Sequence, residues 1–457
     1  MSFVSVRALF GAVFVPLFLL SQSSSFAEEP PNMSDLRTWT NREGKVFQAY
    51  LVSSDGTQVV MRMPDGQLGT GALGKLSLPD QVFVRTTLGL EGDIVRRAGD
   101  AKPIDPKTES LLPVEKRVWP LKVEADNAAL DVKIVSENPA ELQFLYHAQN
   151  FEFEAQEKLS VTVMKELART FEVTRRLVEL LPWGIQPKPP ADLGYYRAKF
   201  YVDRRHYVDD GGPVASGGVY FSRDRIFRVP FESLGLERRG KTWAKNENFN
   251  NQTVIHEVTH QMMHDSLPFL PIWVREGTAE YTSSLPFQGG RFASGLHEKG
   301  IREYIKAYED RHGGAADTFS PLEVMRLTTE AWHSRADKGG KEQHRLYFSA
   351  CLLVYYFSHL EGDGKGIGFL QYMDKIREAR LAWAEFFRNP NVKMNQDGSY
   401  TYPQDLTPPA QPHSEECGLT QLEMLIAGRD EAQMRKAVLD GFKKMGVTLK
   451  KAGNSGL

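Results

Sequence analysis

Cysteine is almost absent from this chain: 457 residues contain two, Cys351 and Cys417. Two thiols exclude a structural zinc site built from four thiolates. They leave one disulfide as the most the chain can close internally. Cys351 lies in an apolar helical run and Cys417 in a polar, proline-rich region. A bridge between them suits an exported chain, and a buried thiol beside an incidental one suits the sequence equally well. Excess charge is missing too. The formal net charge is −2, so the basic surplus of a nucleic-acid binder is absent. The pairs Arg204-Arg205 and Arg238-Arg239 read as solvated surface.

Long apolar runs are also missing, with one exception. "ALFGAVFVPLFLL" (8–20) is 13 residues long, short of the ~20 that span a bilayer. Arg7 precedes it, and Ser25 and Ala27 stand at the small-residue positions of a cleavage site. This pattern predicts a secretory signal peptide over 1–27, cut after Ala27. No cysteine follows to take a lipid. The expected mature protein is exported, periplasmic or secreted, with no transmembrane segment. Its composition, 41% hydrophobic and 25% charged, is that of an ordinary globular protein. At roughly 100–200 residues per domain the length predicts two or three domains.

Residues 36–88 read as a separate all-β unit. Short β-rich runs ("VFQAYLV", "QVVMRM", "QLGTGAL") alternate with the hairpin pairs Asp55-Gly56 and Asp65-Gly66. A small barrel is the natural closure for about 50 residues of this kind. "RTWT" (37–40), the Asp-Gly turns and "LGKLSLPDQVFV" (73–84) resemble the Sla-one homology domain, an SH3-like barrel. The resemblance implies an interaction module that carries no chemistry and contacts a cell-envelope protein partner; a spacer role is the alternative. Residues 91–115 read as a polar linker.

The segment 116–457 reads as one α+β domain. "LQFLYHAQNFEFEA" (142–155) alternates like a strand, and 157–181 has helical apolar spacing. "YYRAKFYVD" (195–203) is a strand, and 217–230 is a strand pair turning at Arg223-Asp224. After residue 266 helices dominate, over 299–311, 320–330, 342–360, 366–386 and 418–446. The stretch 388–417, rich in Pro, Asn, Gln and Gly, reads as a long loop.

Histidine is scarce as well, 11 in all, yet three fall within "HEVTHQMMH" (256–264). His256 and His260 are four apart, hence on one helical face with Cβ atoms ~5–6 Å apart. Two imidazoles so placed can each give a nitrogen to one Zn2+. Glu257 is rotated about 100° from His256, so it reaches a metal-bound water without binding the metal. A catalytic zinc takes a third protein ligand. "PIWVREGTAEYT" (271–282) offers Glu276 for that place and Glu280, one turn on, to orient a ligand histidine. His264 reads as an exposed or capping histidine.

His-Glu-x-x-His followed by "WVREGTAEY" resembles the gluzincin metallopeptidases, and among them the peptidase-MA-like exported bacterial proteins. The resemblance implies a zincin-like domain with a mixed sheet, a zinc helix and a mostly helical C-terminal half. It implies Zn2+ held by His256, His260 and Glu276, with Glu257 as general base and Glu280 behind a ligand. Candidates for stabilising the oxyanion are Tyr347, then Tyr281 and His344. The strand 217–222 would pair with extended substrate, with Gly217 and Gly218 allowing close backbone approach. Three departures stand out. Only 15 residues separate His260 from Glu276, Arg275 replaces the usual Asn, and the exopeptidase motif Gly-x-Met-Glu-Asn is absent. A metzincin is excluded because Met263 and Ser266 stand where Gly and His are required. The expected activity is that of an exported zinc-dependent endopeptidase acting on a peptide or protein. The alternative is a catalytically inactive zincin fold serving as a cell-envelope scaffold.

Overall fold

The computed structural model describes residues 36–41, 45–88, 111–190, 193–394, 400–403, 406, 409, 418 and 420–451. The segment 1–27, most of the 91–115 linker and Cys417 therefore lie outside the described residues. The chain divides into two units, 1–92 and 93–457. Both mix helix and strand, and the protein is α+β.

In the first unit the two Asp-Gly turns close hairpins as their chemistry dictates. Strands β1 (Arg37–Thr40), β2 (Val46–Ser54), β3 (Gln58–Arg62) and β4 (Leu68–Ala72) form an antiparallel meander in chain order. Gly56 and Gly66 both take φ near +87°, the left-handed region those turns need. Trp39, Ala49, Leu51, Val59 and Met61 fill the core together with Leu73, Leu76 and Val84. The expectation of an all-β unit is corrected here, because Leu78–Thr87 is a helix, α1. Asp80 explains the "LPDQ" signature. Its buried carboxylate accepts from Arg37 Nη2 and the Thr40 amide at 2.8 Å and from Ser77 Oγ at 2.7 Å. It ties the helix start to β1.

The second unit opens with β5 (Val123–Glu124). It is organised by a six-stranded mixed sheet of β6 (Lys133–Asn138), β7 (Gln143–His147), β8 (Phe151–Ala155), β9 (Tyr196–Tyr201), β10 (Val219–Phe221) and β11 (Ile226–Pro230). Their order across the sheet is β10-β11-β9-β8-β7-β6. β9 runs parallel to both β8 and β11, and the other pairs are antiparallel. The stretch 142–155 is two strands rather than one. The Ala148 amide donates to Phe151 O at 2.9 Å to close the turn, and Glu172 beneath holds Asn150 Nδ2 at 2.9 Å.

Helix α2 (Val161–Leu180) starts where Ser160 Oγ accepts from the Val163 amide. It lies under the sheet. Phe171 touches the rings of Phe151, Phe153, Phe200 and Phe227 at 5.2–5.9 Å. The other sheet face carries ion pairs such as Arg197–Glu152 at 3.0 Å. After α3 (Arg204–Asp209) and the β10–β11 pair, a small hairpin, Leu236–Arg239 with Thr242–Lys245, leads into α4 (Gln252–Met262).

The C-terminal half is helical: α5 (Ile272–Ser284), α6 (His297–Arg311), α7 (Pro321–Met325), α8 (Thr329–Ala336), α9 (Gly340–Tyr355) and α10 (Ile367–Arg388). Two expected helices are broken. The span 320–330 divides into α7 and α8 at Thr328, whose hydroxyl caps α8. The described part of 418–446 divides into Glu423–Ile426 and Glu431–Lys444. Ala427 and Gly428 take positive φ there, and Asp430 opens the second piece with a capping box. Within 388–417, Lys393–Met394 pairs with Tyr400–Thr401. Cys351 is a buried free thiol. Among the described residues no helix is long and apolar enough to cross a membrane.

Helices α5 and α9 pack so closely that residue 277 has no room for a side chain. A Cβ there would lie 2.6 Å from Ala350 O and 2.7 Å from Val354 Cγ2. Gly277→Ala is therefore expected to destabilise the fold by about 1–3 kcal/mol. A urea midpoint equal to that of the wild type would show that the spacing relaxes freely.

Candidate metal centre

Helix α4 buries Val254, Ile255, Val258 and Met262. That choice of face leaves His256, Glu257 and His260 half-buried, the two histidines toward α5 and Glu257 toward β10. The two helices are stapled by the Thr259–Thr282 hydroxyl pair at 2.7 Å, both buried. This contact brings Glu276 and Glu280 opposite the histidines.

His256 Nε2 and His260 Nε2 lie 3.1 Å apart. Glu276 Oε2 stands 3.5 Å from the first and 3.4 Å from the second. These three residues are the one group of this kind among the described residues. Donors bound at about 2.0–2.1 Å to one tetrahedral ion lie roughly 3.3–3.4 Å from one another. The triangle thus has the size of one face of a zinc tetrahedron, and its two nitrogens and one carboxylate oxygen are a donor set that zinc accepts.

The surroundings hold the triangle in place. Glu280 Oε1 lies 3.2 Å from His256 Nδ1, so the Nδ1 proton points at the carboxylate and Nε2 is left to face the triangle. Tyr304, from α6, donates its hydroxyl to Glu280 Oε2 at 2.7 Å. Glu257 supplies no atom to the triangle. Its Oε2 accepts the backbone N–H of Tyr220, on β10, at 2.8 Å. The Tyr347 ring stands 6.3 Å from that of His256 and packs edge-on against Trp332.

Electrostatics distinguish the acids. Burial pushes the Glu276 carboxyl up, but the charges and hydrogen bonds of His260 and His256 outweigh it and hold Glu276 well below the usual range. Burial also raises Glu257, and there the two histidines and the Tyr220 amide offset it only in part. The Glu276 charge, followed by burial, raises the Tyr347 phenol, which stays protonated as a donor.

Every residue expected at the centre is brought together, while two secondary candidates are not. Tyr281 is buried on a different face of α5, with its hydroxyl 2.8 Å from His359 Nε2, because Tyr281 is rotated about 100° from Glu280 along the helix. His344 Nδ1 is 3.2 Å from His312 Nε2. His264 is not a plain surface residue either, since its Nδ1 is 2.8 Å from the Tyr220 hydroxyl. β10 is the sheet edge, as expected for 217–222. Gly217 and Gly218 serve close packing within the chain, against Thr253 and Phe227. Sequence reasoning missed Tyr304 and the Tyr220 amide. A backbone donor leaves no trace in residue type, and Tyr304 sits in a separate helix without a motif.

The Tyr281 side of α5 has its own chemistry. Burial first, then His297, holds His359 well below the ordinary imidazole value of 6.5. Unfolded imidazole takes up its proton as pH falls past 6.5 and folded His359 does not. Stability is therefore full above 6.5 and falls below it, by up to about 1.4 kcal/mol per pH unit. Urea unfolding one unit above and one unit below 6.5 measures this slope, and His359→Asn is expected to flatten it. An unchanged slope in that variant would assign the acid sensitivity to other groups.

Compared with protein-family models, curated proteins and solved structures, the chain matches none.

Proposed function

We propose that this protein is an exported, zinc-dependent hydrolase of the gluzincin type that cleaves an internal amide bond in a peptide or protein. The observation that carries this reading is the donor triangle of His256, His260 and Glu276, of zinc-face size, with a second carboxylate beside it that does not join. Zinc, if held by His256, His260 and Glu276, would supply a Lewis acid that acidifies water and polarises a carbonyl.

The chain's own groups do the rest. Glu257, raised by burial and held at one oxygen by the Tyr220 amide, takes a proton from the attacking water and passes it to the leaving amine. Tyr347 donates a hydrogen bond to the oxyanion. Glu280, fixed by Tyr304, keeps His256 in the tautomer that presents Nε2. The edge strand β10 offers its backbone beside this centre to an extended substrate. The second unit is read as a zincin-like domain. The first is read as an SH3-like barrel that contacts a cell-envelope partner, its meander and the Asn41–Leu76 bridge supporting that reading. The signal-peptide pattern of 1–27 supports export.

Elemental analysis of the purified protein tests the proposal. The expected result is one zinc per chain. Protein that holds none, even after loading, would turn the reading to a scaffold on this fold.

A further inference from the structure

A second pair of imidazoles lies outside the centre described above. His312 ends α6 and His344 stands in the first turns of α9. His312 Nε2 and His344 Nδ1 are 3.2 Å apart, close to the 3.1 Å between His256 and His260. Cis ligand nitrogens at 2.0–2.1 Å from one metal ion lie roughly 2.9–3.4 Å apart, depending on the bond angle. Both rings are partly exposed, so an ion has a way in. His312 is backed by the Tyr308 ring at 4.5 Å, which is stacked on Phe348 at 3.8 Å. That support reduces the ordering needed on binding.

The other close pair makes a useful contrast. The His297 and His359 rings are 3.9 Å apart, but they are stacked flat, and each gives a nitrogen to a tyrosine hydroxyl. Stacked rings direct their lone pairs outward, side by side, rather than toward one point. In the His312–His344 pair the two nitrogens face each other at an interplanar angle of 52°.

We propose that His312 and His344 form a second, weaker transition-metal site, the shared hydrogen bond giving way to an ion bound by both nitrogens. The site takes Cu2+ in preference to Zn2+, following the general order of affinities for nitrogen ligands. Local charge sets its strength. Arg311 and Lys341 oppose a cation beside His312, Asp317 favours one, and Lys341 is drawn toward Asp317 at 3.3 Å. Burial comes first in keeping both rings below the usual imidazole range, followed for His312 by the His344 ring, Lys341 and Arg311 and for His344 by Arg311, so both are neutral and able to coordinate at neutral pH. With two protein ligands and water completing the shell, affinity is on the order of micromolar or weaker. The site has a position relevant to the first. His344 is one turn before Tyr347 on α9, and it feels the charge of Glu280. Occupancy places a positive charge within electrostatic reach of Glu280. The inference rests on these two side chains and not on the reading of that centre.

The test uses the full chain carrying His256→Ala and His260→Ala together, which removes both imidazoles of the first site. Cu2+ and Zn2+ are titrated by calorimetry, and the copper form is examined by electron paramagnetic resonance. One remaining equivalent is expected, with hyperfine coupling to two equatorial nitrogens. Adding His344→Asn or, separately, His312→Asn is expected to weaken binding at least tenfold and to leave coupling to one nitrogen. Circular dichroism checks that each variant folds. Equal metal uptake with and without the pair, or no uptake in the doubly substituted chain, would reduce His312 and His344 to a plain hydrogen-bonded pair. Failure of the first site alone looks different: the wild type would then match the His256→Ala, His260→Ala chain while the micromolar equivalent persisted.

Discussion

Glu257→Gln is expected to leave one zinc per chain and to lower amide hydrolysis by about 10²- to 10⁴-fold, the range of a general base. Glu257 contributes nothing to the triangle of donors, so its loss leaves the metal's ligands untouched. Glutamine has the same shape, and its carbonyl oxygen can still accept the Tyr220 amide now held at 2.8 Å. What it lacks is a site basic enough to take a proton from water. Wild type and variant are compared on a peptide library, with metal content measured on the same samples. Zinc lost together with activity would make Glu257 a ligand. Undiminished hydrolysis would remove it from the mechanism.

His260→Ala should have the opposite signature, losing the ion first. Structural zinc sites hold their ion with about 10–16 kcal/mol spread over four ligands, so one ligand accounts for roughly 3–4 kcal/mol, or about 10²- to 10³-fold in affinity. The fold is expected to survive. The buried side of α4, with Val254, Ile255, Val258 and Met262, is untouched, as is the Thr259–Thr282 pair. Competition with a chelator measures the change. A variant that binds as tightly as the wild type would exclude His260 from the centre.

The parts of this protein legible in its sequence are those where one physical rule acts locally. Asp-Gly turns, the i, i+4 spacing of His256 and His260, and the apolar period of 161–180 each depend on a few neighbouring residues. The triangle was legible because both halves of it are helical repeats. Failures arose where distant contacts decide. The strand over 142–155 breaks at Asn150 because Glu172, on α2, holds that residue. The helix at 78–87 was hidden by a proline and a short apolar run, and Asp80 anchors it to β1. Tyr281 shares its segment with Glu276 and Glu280, yet it lies on a different face. Spacing from those acids predicts that, since residues one apart on a helix do not share a face. The break at 427–430 was missed by the reading of 418–446 as one helix, although Gly428 followed by the N-capping Asp430 marks it.

Helix α4 packs against α2 beneath the sheet, and α5 packs against α9. The two histidines come from the first helix and the carboxylate from the second. An ion held by all three would therefore pin the sheet half to the helical half, like a rivet set late in assembly. Such a rivet tightens with the free metal around it, by about 2.7 kcal/mol at a hundred times the dissociation constant. The surrounding metal supply would then govern how long a folded copy persists as well as what it can do. Copies starved of metal would hold the α4–α5 seam by direct packing and the Thr259–Thr282 pair alone.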